Sequence, residues 1–415
     1  MSIVSGAFVY ARGVFLPEMA DDFGGSRLNI TLAFSLAQAV GAFSAPFIGM
    51  ALDRWHPRVV LLTGAVMVTM AYFLTALATS YLALYAVFGL LFGAGWRGIS
   101  SFSTSRVLVR WFNRRRGLAL SIDVAGASVA GIFVPLIAVW MMHAFGWRPG
   151  FAVFGIFTLT IVIPLVLFVI KASPQDIGQH PDGIPPESIE TSESAASDTP
   201  PDEASDKSSA ASDADAPDDR EWQVRDLLRV PAFWGMVVVF SAMVCVFNGV
   251  NMHLFGHIKA IGFLDQRAAV ILTVMGTFIV AGKPVLGMLA DWRGTKTAVL
   301  LSLVAQTIGI VFFWVGGSYF VLLVGAVVYG FGMSGMAPLQ SMAVAAVFGA
   351  RSYGRANGLM QPFMLPIALL ASPIAAWIYD TSGGYTTAFL IFLAFLLVAL
   401  PVALLLRLVP ARRGT

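Results

Sequence analysis

Long apolar runs follow one another along almost the whole chain, and short polar stretches separate them. Most runs have roughly 20 residues, enough to cross a hydrocarbon core of about 30 Å as a helix. They are continuous rather than alternating, which predicts helices and not barrel strands. The pattern predicts an all-α polytopic membrane protein with twelve transmembrane helices in two sets of six. The predicted spans cover residues 3–17, 28–52, 59–79, 82–107, 118–143, 150–170, 233–255, 268–290, 297–316, 319–348, 358–378 and 387–408.

The first apolar run is shorter than the others. It reaches from Ile3 to Pro17 and would extend only about 22 Å as a helix. This length predicts either a short first helix or a helix that begins before Met1.

A polar segment of very different composition separates the two sets of spans. Residues 187–219 contain eleven acids, one lysine and many Ser, Ala and Pro. Such a segment buries too little apolar surface to fold, so residues 172–221 are predicted to be a disordered linker. The predicted domains are therefore an N-terminal bundle over 1–171, this linker, and a C-terminal bundle over 222–415 that opens with a short amphipathic helix near Trp222.

Composition and charge agree with a membrane location. The 415 residues are 58% hydrophobic and 12% charged, whereas a soluble domain carries about 25% charged residues. Nineteen of the 26 Lys and Arg fall on the side of both termini, which the positive-inside rule assigns to the cytoplasm. The compact loops favour a bacterial inner membrane. Membrane lipid is the expected surrounding, and no nucleic-acid partner, cofactor or enzymatic site is predicted.

A loop motif occurs twice, once in each set of spans. Gly49 and Asp53 recur as Gly287 and Asp291, and both pairs are 238 residues apart. The two sets are therefore repeats of one six-helix unit. Repeated halves with a substrate site between them near the midplane are typical of alternating-access carriers.

This motif resembles the best-known signature of the major facilitator superfamily. The glycine allows close helix approach, and the carboxylate lies at a helix end beside arginines. The resemblance implies the fold of that superfamily and a gating role for four residues at the linker end of the bundles. These residues are Asp53, Arg54, Asp291 and Arg293. The alternative is that they only fix topology and loop shape.

Within that superfamily the chain resembles the monocarboxylate transporter and oxalate/formate antiporter group. The resemblance rests on four segments in this order: residues 13–18, 110–119, 174–182 and 231–234. It implies a secondary active transporter of small organic anions, mono- or dicarboxylates, working by proton-coupled symport or anion exchange. Related transporters use an arginine at the position of Lys283 to hold the substrate carboxylate. Animal members place an aspartate at the position of Ile279, so this chain departs from their proton-coupling scheme.

Two cations lie deep inside predicted spans, one in each half. Lys283 lies about 12 Å from the cytoplasmic end of its span, and Arg97 lies about 13 Å from that side. A buried cation without a partner is costly, whereas a bound anion neutralises it and accepts its hydrogen bonds. Both residues are therefore predicted to bind a small carboxylate anion.

Two further ionisable residues in spans have more than one interpretation. Arg12 lies about 9 Å from Glu18, so it could bind substrate or extend to the membrane surface. Asp123 could carry a coupling proton, or it could neutralise an arginine such as Arg97. Two other coupling mechanisms stay open: uptake of a proton together with the substrate, and anion exchange.

The seventh span contributes the remaining polar candidates. Asn248, Asn251 and His253 could form hydrogen bonds with the substrate, although such groups also join helices in membranes. His253 and His257 have the spacing of a metal pair, but no third ligand follows at a suitable distance, so no metal site is predicted.

Two other functions remain as alternatives. A drug or cation exporter of the same fold should present carboxylates rather than cations to its cavity, and the sign of the buried charges argues against it. A non-transporting membrane receptor would need an output domain, and the linker is too short and unstructured to be one.

Overall fold

The computed structural model describes residues 2–112, 116–171 and 222–406, and this part of the chain is helical and contains no strand. Eleven helices in it are long and apolar enough to cross a membrane, and the first helix packs among them. The prediction of two sets of six helices is thereby confirmed. In chain order the helices are α1 (Ser2–Asp22), α2 (Arg27–Arg54), α3 (Pro57–Ala76), α4 (Tyr81–Leu108), α5 (Arg116–Phe145), α6 (Trp147–Val169), α7 (Pro231–Ala260), α8 (Asp265–Arg293), α9 (Thr295–Val315), α10 (Tyr319–Gly349), α11 (Ser352–Ser382) and α12 (Thr386–Leu405).

The extent predicted for the first helix was wrong. The helix continues through Pro17 to Asp22 and has 21 residues, or about 32 Å. It packs against α5 and α7, and Val14 and Phe15 are completely buried. The polar end of the helix is exposed at Asp21 and Asp22, beyond its buried apolar part.

The fourth helix is irregular around its middle. Residues Tyr85–Phe92 form a π-helix, and Ser100 adopts an extended conformation with φ −76° and ψ 170°. The chain then continues as a helix over Ser101–Trp111. At this break, side-chain hydroxyls bind the carbonyl oxygen of Arg97. This oxygen accepts hydrogen bonds from Ser100 at 3.0 Å and from Ser103 at 3.1 Å.

The chain before α7 is docked onto the protein. The predicted linker, residues 172–221, lies outside the described residues, and the amphipathic helix after it is a single turn, Val224–Leu227. Trp222 is buried, and its ring centroid lies 5.5 Å from that of Phe348. The Trp222 carbonyl accepts a hydrogen bond from Arg355 at 2.6 Å. This segment therefore packs on the junction of α10 and α11 instead of lying at the lipid surface.

The helices form an N-half, α1–α6, and a C-half, α7–α12, that meet through the pairs α1 with α7, α2 with α11 and α5 with α8. We call the side of the membrane that carries residues 172–221 the linker side and the opposite one the distal side. Among the described residues, the hydrogen bonds between the halves lie at mid-depth or on the distal side. Toward the linker side, a Cβ atom on Gly287, Gly354 or Gly358 would meet nothing within 4 Å. These hydrogen bonds therefore close the two halves against each other on the distal side.

Candidate functional site

Lys283 lies at the interface between the two halves. It precedes Arg293, the linker-side end of α8, by ten residues or about 15 Å. Its Nζ atom donates a hydrogen bond to the buried Ser128 Oγ of α5 at 2.5 Å. No carboxylate of the described residues forms an ion pair with it. Lys283 thus places an uncompensated positive charge between the halves.

Arg12 is the second cation of this interface. It lies ten residues from each end of α1, at mid-depth, and is 3% exposed. Its Nη2 atom donates to Asn248 Oδ1 of α7 at 3.3 Å, and its Nε atom is buried without a partner. The interpretation that Arg12 extends to the membrane surface was wrong, because α1 continues past Pro17 and keeps the side chain inside.

Arg97 is the third. Its guanidinium carbon lies 4.9 Å from the ring centroid of Phe102, and its Nε atom is buried without a hydrogen-bond partner. The ion pair with Asp123 that the sequence left open is not formed. Asp123 instead accepts a hydrogen bond from Thr104 Oγ1 at 2.8 Å.

These three cations share one electrostatic property. Each sits at mid-depth, and among the described side chains none has a carboxylate partner. Burying an unpaired charge is costly, so each of these cations favours an anion that neutralises its charge and accepts its hydrogen bonds.

The polar residues of α7 occupy two different environments. Asn248 binds Arg12, whereas Asn251 is 1% exposed and neither atom of its amide group has a partner. His253 lies closer to the distal side. Its Nδ1 atom lies 3.2 Å from the Tyr385 hydroxyl, and its Nε2 atom lies 2.8 Å from the Ser372 carbonyl oxygen. His253 therefore has no uncommitted nitrogen in this conformation.

The second histidine of the apparent metal pair is bound elsewhere. His257 Nε2 lies 2.9 Å from the carbonyl oxygen of Phe313. In the described part of the chain, no three His, Cys, Asp or Glu side chains come together as metal ligands.

The predicted gating residues lie at the linker-side ends of α2 and α8. Arg54, Asp291 and Arg293 are exposed there, and the side chain of Asp53 lies outside the described residues. Sequence reasoning did not single out Arg106. Arg106 donates a hydrogen bond to the Gly49 carbonyl at 2.9 Å and so joins the linker-side part of α2 to α4.

Two repeated six-helix halves around charged residues at mid-depth define a membrane transporter rather than an enzyme. The model of the Major Facilitator Superfamily matches residues 1–293 and 264–415, and the chain belongs to this family. Over 390 residues it is 26% identical to monocarboxylate transporter 13 of Rattus norvegicus, covering 93% of this chain and 81% of that protein. Over 396 residues it is 26% identical to monocarboxylate transporter 11 of Homo sapiens, covering 91% and 75%.

The fold is also found among solved structures. A crystal structure of a D-xylose-proton symporter superposes with a TM-score of 0.70 and covers 99% of this chain and 96% of that chain. Its sequence is 14% identical, so the likeness concerns the fold.

Proposed function

We propose that the protein carries small organic anions, monocarboxylates or dicarboxylates, across the membrane by alternating access. The observation that supports this most is Lys283, whose charge lies between the halves with a serine as its hydrogen-bond partner. The similarity to monocarboxylate transporters 13 and 11 supports the same substrate class.

In this proposal the two halves bind one substrate together. Lys283 of the C-half holds a carboxylate, and it does so as a point charge without the fork of an arginine. Arg12 and Arg97 supply positive charge from the N-half. Asn248 orients Arg12, and the unpaired amide of Asn251 is available for a substrate oxygen. His253 contacts substrate only after its present hydrogen bonds rearrange.

The coupling mechanism is proton symport or anion exchange. Ile279, one turn before Lys283, is 5% exposed and has no ionisable group. A coupling proton would therefore bind at Asp123, which meets Thr104 on the linker-side half of α4, or would enter with the substrate.

We assign the linker side to the cytoplasm. The basic residues of that side support this orientation, which places both termini in the cytoplasm. Asp53, Arg54, Asp291 and Arg293 would then close the cytoplasmic side when the halves rock together. Both named relatives are mammalian, and a bacterial inner membrane stays a prediction from the compact loops.

The test is uptake by purified protein in proteoliposomes. Labelled lactate, pyruvate, oxalate, succinate and an aromatic acid are offered with and without a pH gradient. We expect uptake of at least one acid, and a response to the gradient would indicate proton symport rather than exchange. Uptake of an organic cation together with rejection of every acid would contradict the proposal and favour the exporter.

Replacing Arg97 by alanine should weaken this uptake about tenfold, because a charge-assisted hydrogen bond contributes about 1.5–3 kcal/mol. The matched control is Arg225→Ala, which removes an exposed arginine before α7 and should leave uptake unchanged. Equal uptake by both variants would remove Arg97 from the substrate site.

A further inference from the structure

The distal end of α2 is capped by a residue of the other half. The carboxylate of Asp380, near the distal end of α11, accepts hydrogen bonds from the Ser26 hydroxyl at 3.1 Å, the Arg27 amide at 3.1 Å and the Leu28 amide at 2.9 Å. The first amides of a helix have no partner within the helix, and its N-terminus favours a negative charge. Asp380 of the C-half thus supplies the hydrogen-bond acceptor that the first amides of α2, in the N-half, lack.

The side chain of Arg27 reaches into the C-half beside this cap. Its guanidinium carbon lies 3.5 Å from the ring centroid of Tyr379, and its Nη1 atom donates to the hydroxyl of Tyr385 at 2.5 Å. A Cβ atom on Gly256 of α7 would lie 3.0 Å from the same Nη1 atom, so the glycine leaves just enough room. Arg27 therefore joins α2 to α7, to α11 and to the start of α12.

These contacts continue inward to the predicted substrate site. Tyr385 is 1% exposed, and its hydroxyl also meets His253. His253 is bonded to the carbonyl of Ser372, whose hydroxyl donates to the carbonyl of Asn248 at 3.0 Å. The side chain of Asn248 in turn accepts the hydrogen bond of Arg12. One connected set of hydrogen bonds thus links the distal surface with a mid-depth cation.

We propose that Arg27, Asp380 and Tyr385 form a distal latch that sets the balance between the two conformations of the carrier. The proposal rests on the alternating-access part of the proposed function and names no substrate. Opening the distal side separates α2 from α11, so the cap, the aromatic contact and the Arg27 hydrogen bond must all break in the same step. The latch therefore stabilises the distally closed conformation seen here.

The linkage to Asn248 gives the latch a route to the substrate. A ligand that draws Arg12 toward itself changes the hydrogen bond between Arg12 and Asn248. This bond is one end of the connected hydrogen bonds, and the contact between His253 and Tyr385 is the other end. Arg27 and Asp380 act as positioning residues, since they bind no substrate themselves.

The test measures access to a cysteine on the distal part of the interface. Ser35 of α2 is 8% exposed and donates to the Leu369 carbonyl of α11 at 3.0 Å, so it is reached by solvent only when the distal side opens. Ser35→Cys is introduced after the chain's lone cysteine has been replaced by Cys245→Ser. The protein is placed in nanodiscs, where both membrane faces are accessible, and its reaction with a charged maleimide is followed over time.

We expect Asp380→Ala and Arg27→Ala each to raise the labelling rate of this cysteine about tenfold, because each removes charge-assisted contacts that only the distally closed state makes. The matched control is Asp22→Ala, which removes a distal aspartate whose partners, Trp147 and Arg148, belong to the same half. It should label at the rate of the parent.

A second reporter separates opening from unfolding. Cys245 of the native chain is 3% exposed inside α7, and it should stay unlabelled in the same variants made without Ser35→Cys. Labelling of Ser35→Cys at the parent rate in both Asp380→Ala and Arg27→Ala would overturn the latch. Because no substrate is needed, failure of carboxylate uptake would sink the proposed function while leaving this result standing.

Discussion

Replacing Lys283 by alanine is expected to reduce carboxylate uptake about a hundredfold, a loss of about 2.7 kcal/mol. The ammonium group is the charge that both halves share, since its Nζ atom bonds to Ser128 across the interface. Without it, a carboxylate at mid-depth would lose its ionic partner while still giving up its hydration. The measurement is the initial rate of uptake into proteoliposomes over a range of substrate concentrations.

Two further variants make the Lys283 result specific. Lys283→Arg keeps the charge and should retain measurable uptake with an altered KM, because the planar guanidinium orients a carboxylate differently. Lys296→Ala removes a partly exposed lysine at the start of α9, where it bonds to the Leu404 carbonyl, and should behave like the native protein. Native uptake by Lys283→Ala would exclude this residue from the site.

Replacing Gly276 by alanine is expected to lower uptake about thirtyfold, which corresponds to about 2 kcal/mol and lies within the range for overpacking. Gly276 lies where α8 crosses α5, two turns from Lys283. A Cβ atom there would overlap the carbonyl oxygen of Gly131, and a backbone atom cannot rotate away as a side chain does. The helices must then separate where the halves are now in contact.

The effect of Gly276→Ala is measured by uptake and by thermal unfolding in detergent. We expect a lower Tm together with the lower uptake, because the substitution acts on the closed distal interface. Gly287→Ala on the same helix is the matched control, since a Cβ atom there meets nothing within 4 Å and should leave Tm unchanged. A native Tm and native uptake for Gly276→Ala would show that the two helices do not need to approach this closely.

The helices were predictable because a membrane imposes both their length and their composition. Eleven predicted spans overlap the observed ones, and Lys283 and Arg97 were visible as charges within apolar runs. The end of α1 was not, because its last residues are polar and Pro17 looked like a stop. The depth predicted for Arg12 was wrong for the same reason, because it was counted from too early an end of the helix.

Other features depend on contacts that the order of residues does not contain. Arg27 and Tyr385 are 358 positions apart, and a serine such as Ser128 is unremarkable until its partner is known. The extended conformation at Ser100 has no sequence signal either, since serine is also found within helices. The cations could thus be found from the sequence, whereas their partners required the fold.

The lack of carboxylate partners around Lys283 and Arg12 has an electrical consequence for a carrier of anions. When the site is empty, its return across the membrane moves positive charge, and moving one elementary charge through 100 mV involves about 2.3 kcal/mol. A bound monocarboxylate removes one of those charges and a dicarboxylate removes two, so the loaded return is less sensitive to the membrane potential. The loaded carrier also avoids burying unpaired cations. Counterflow of labelled against unlabelled substrate should therefore be faster than net flux and less dependent on voltage.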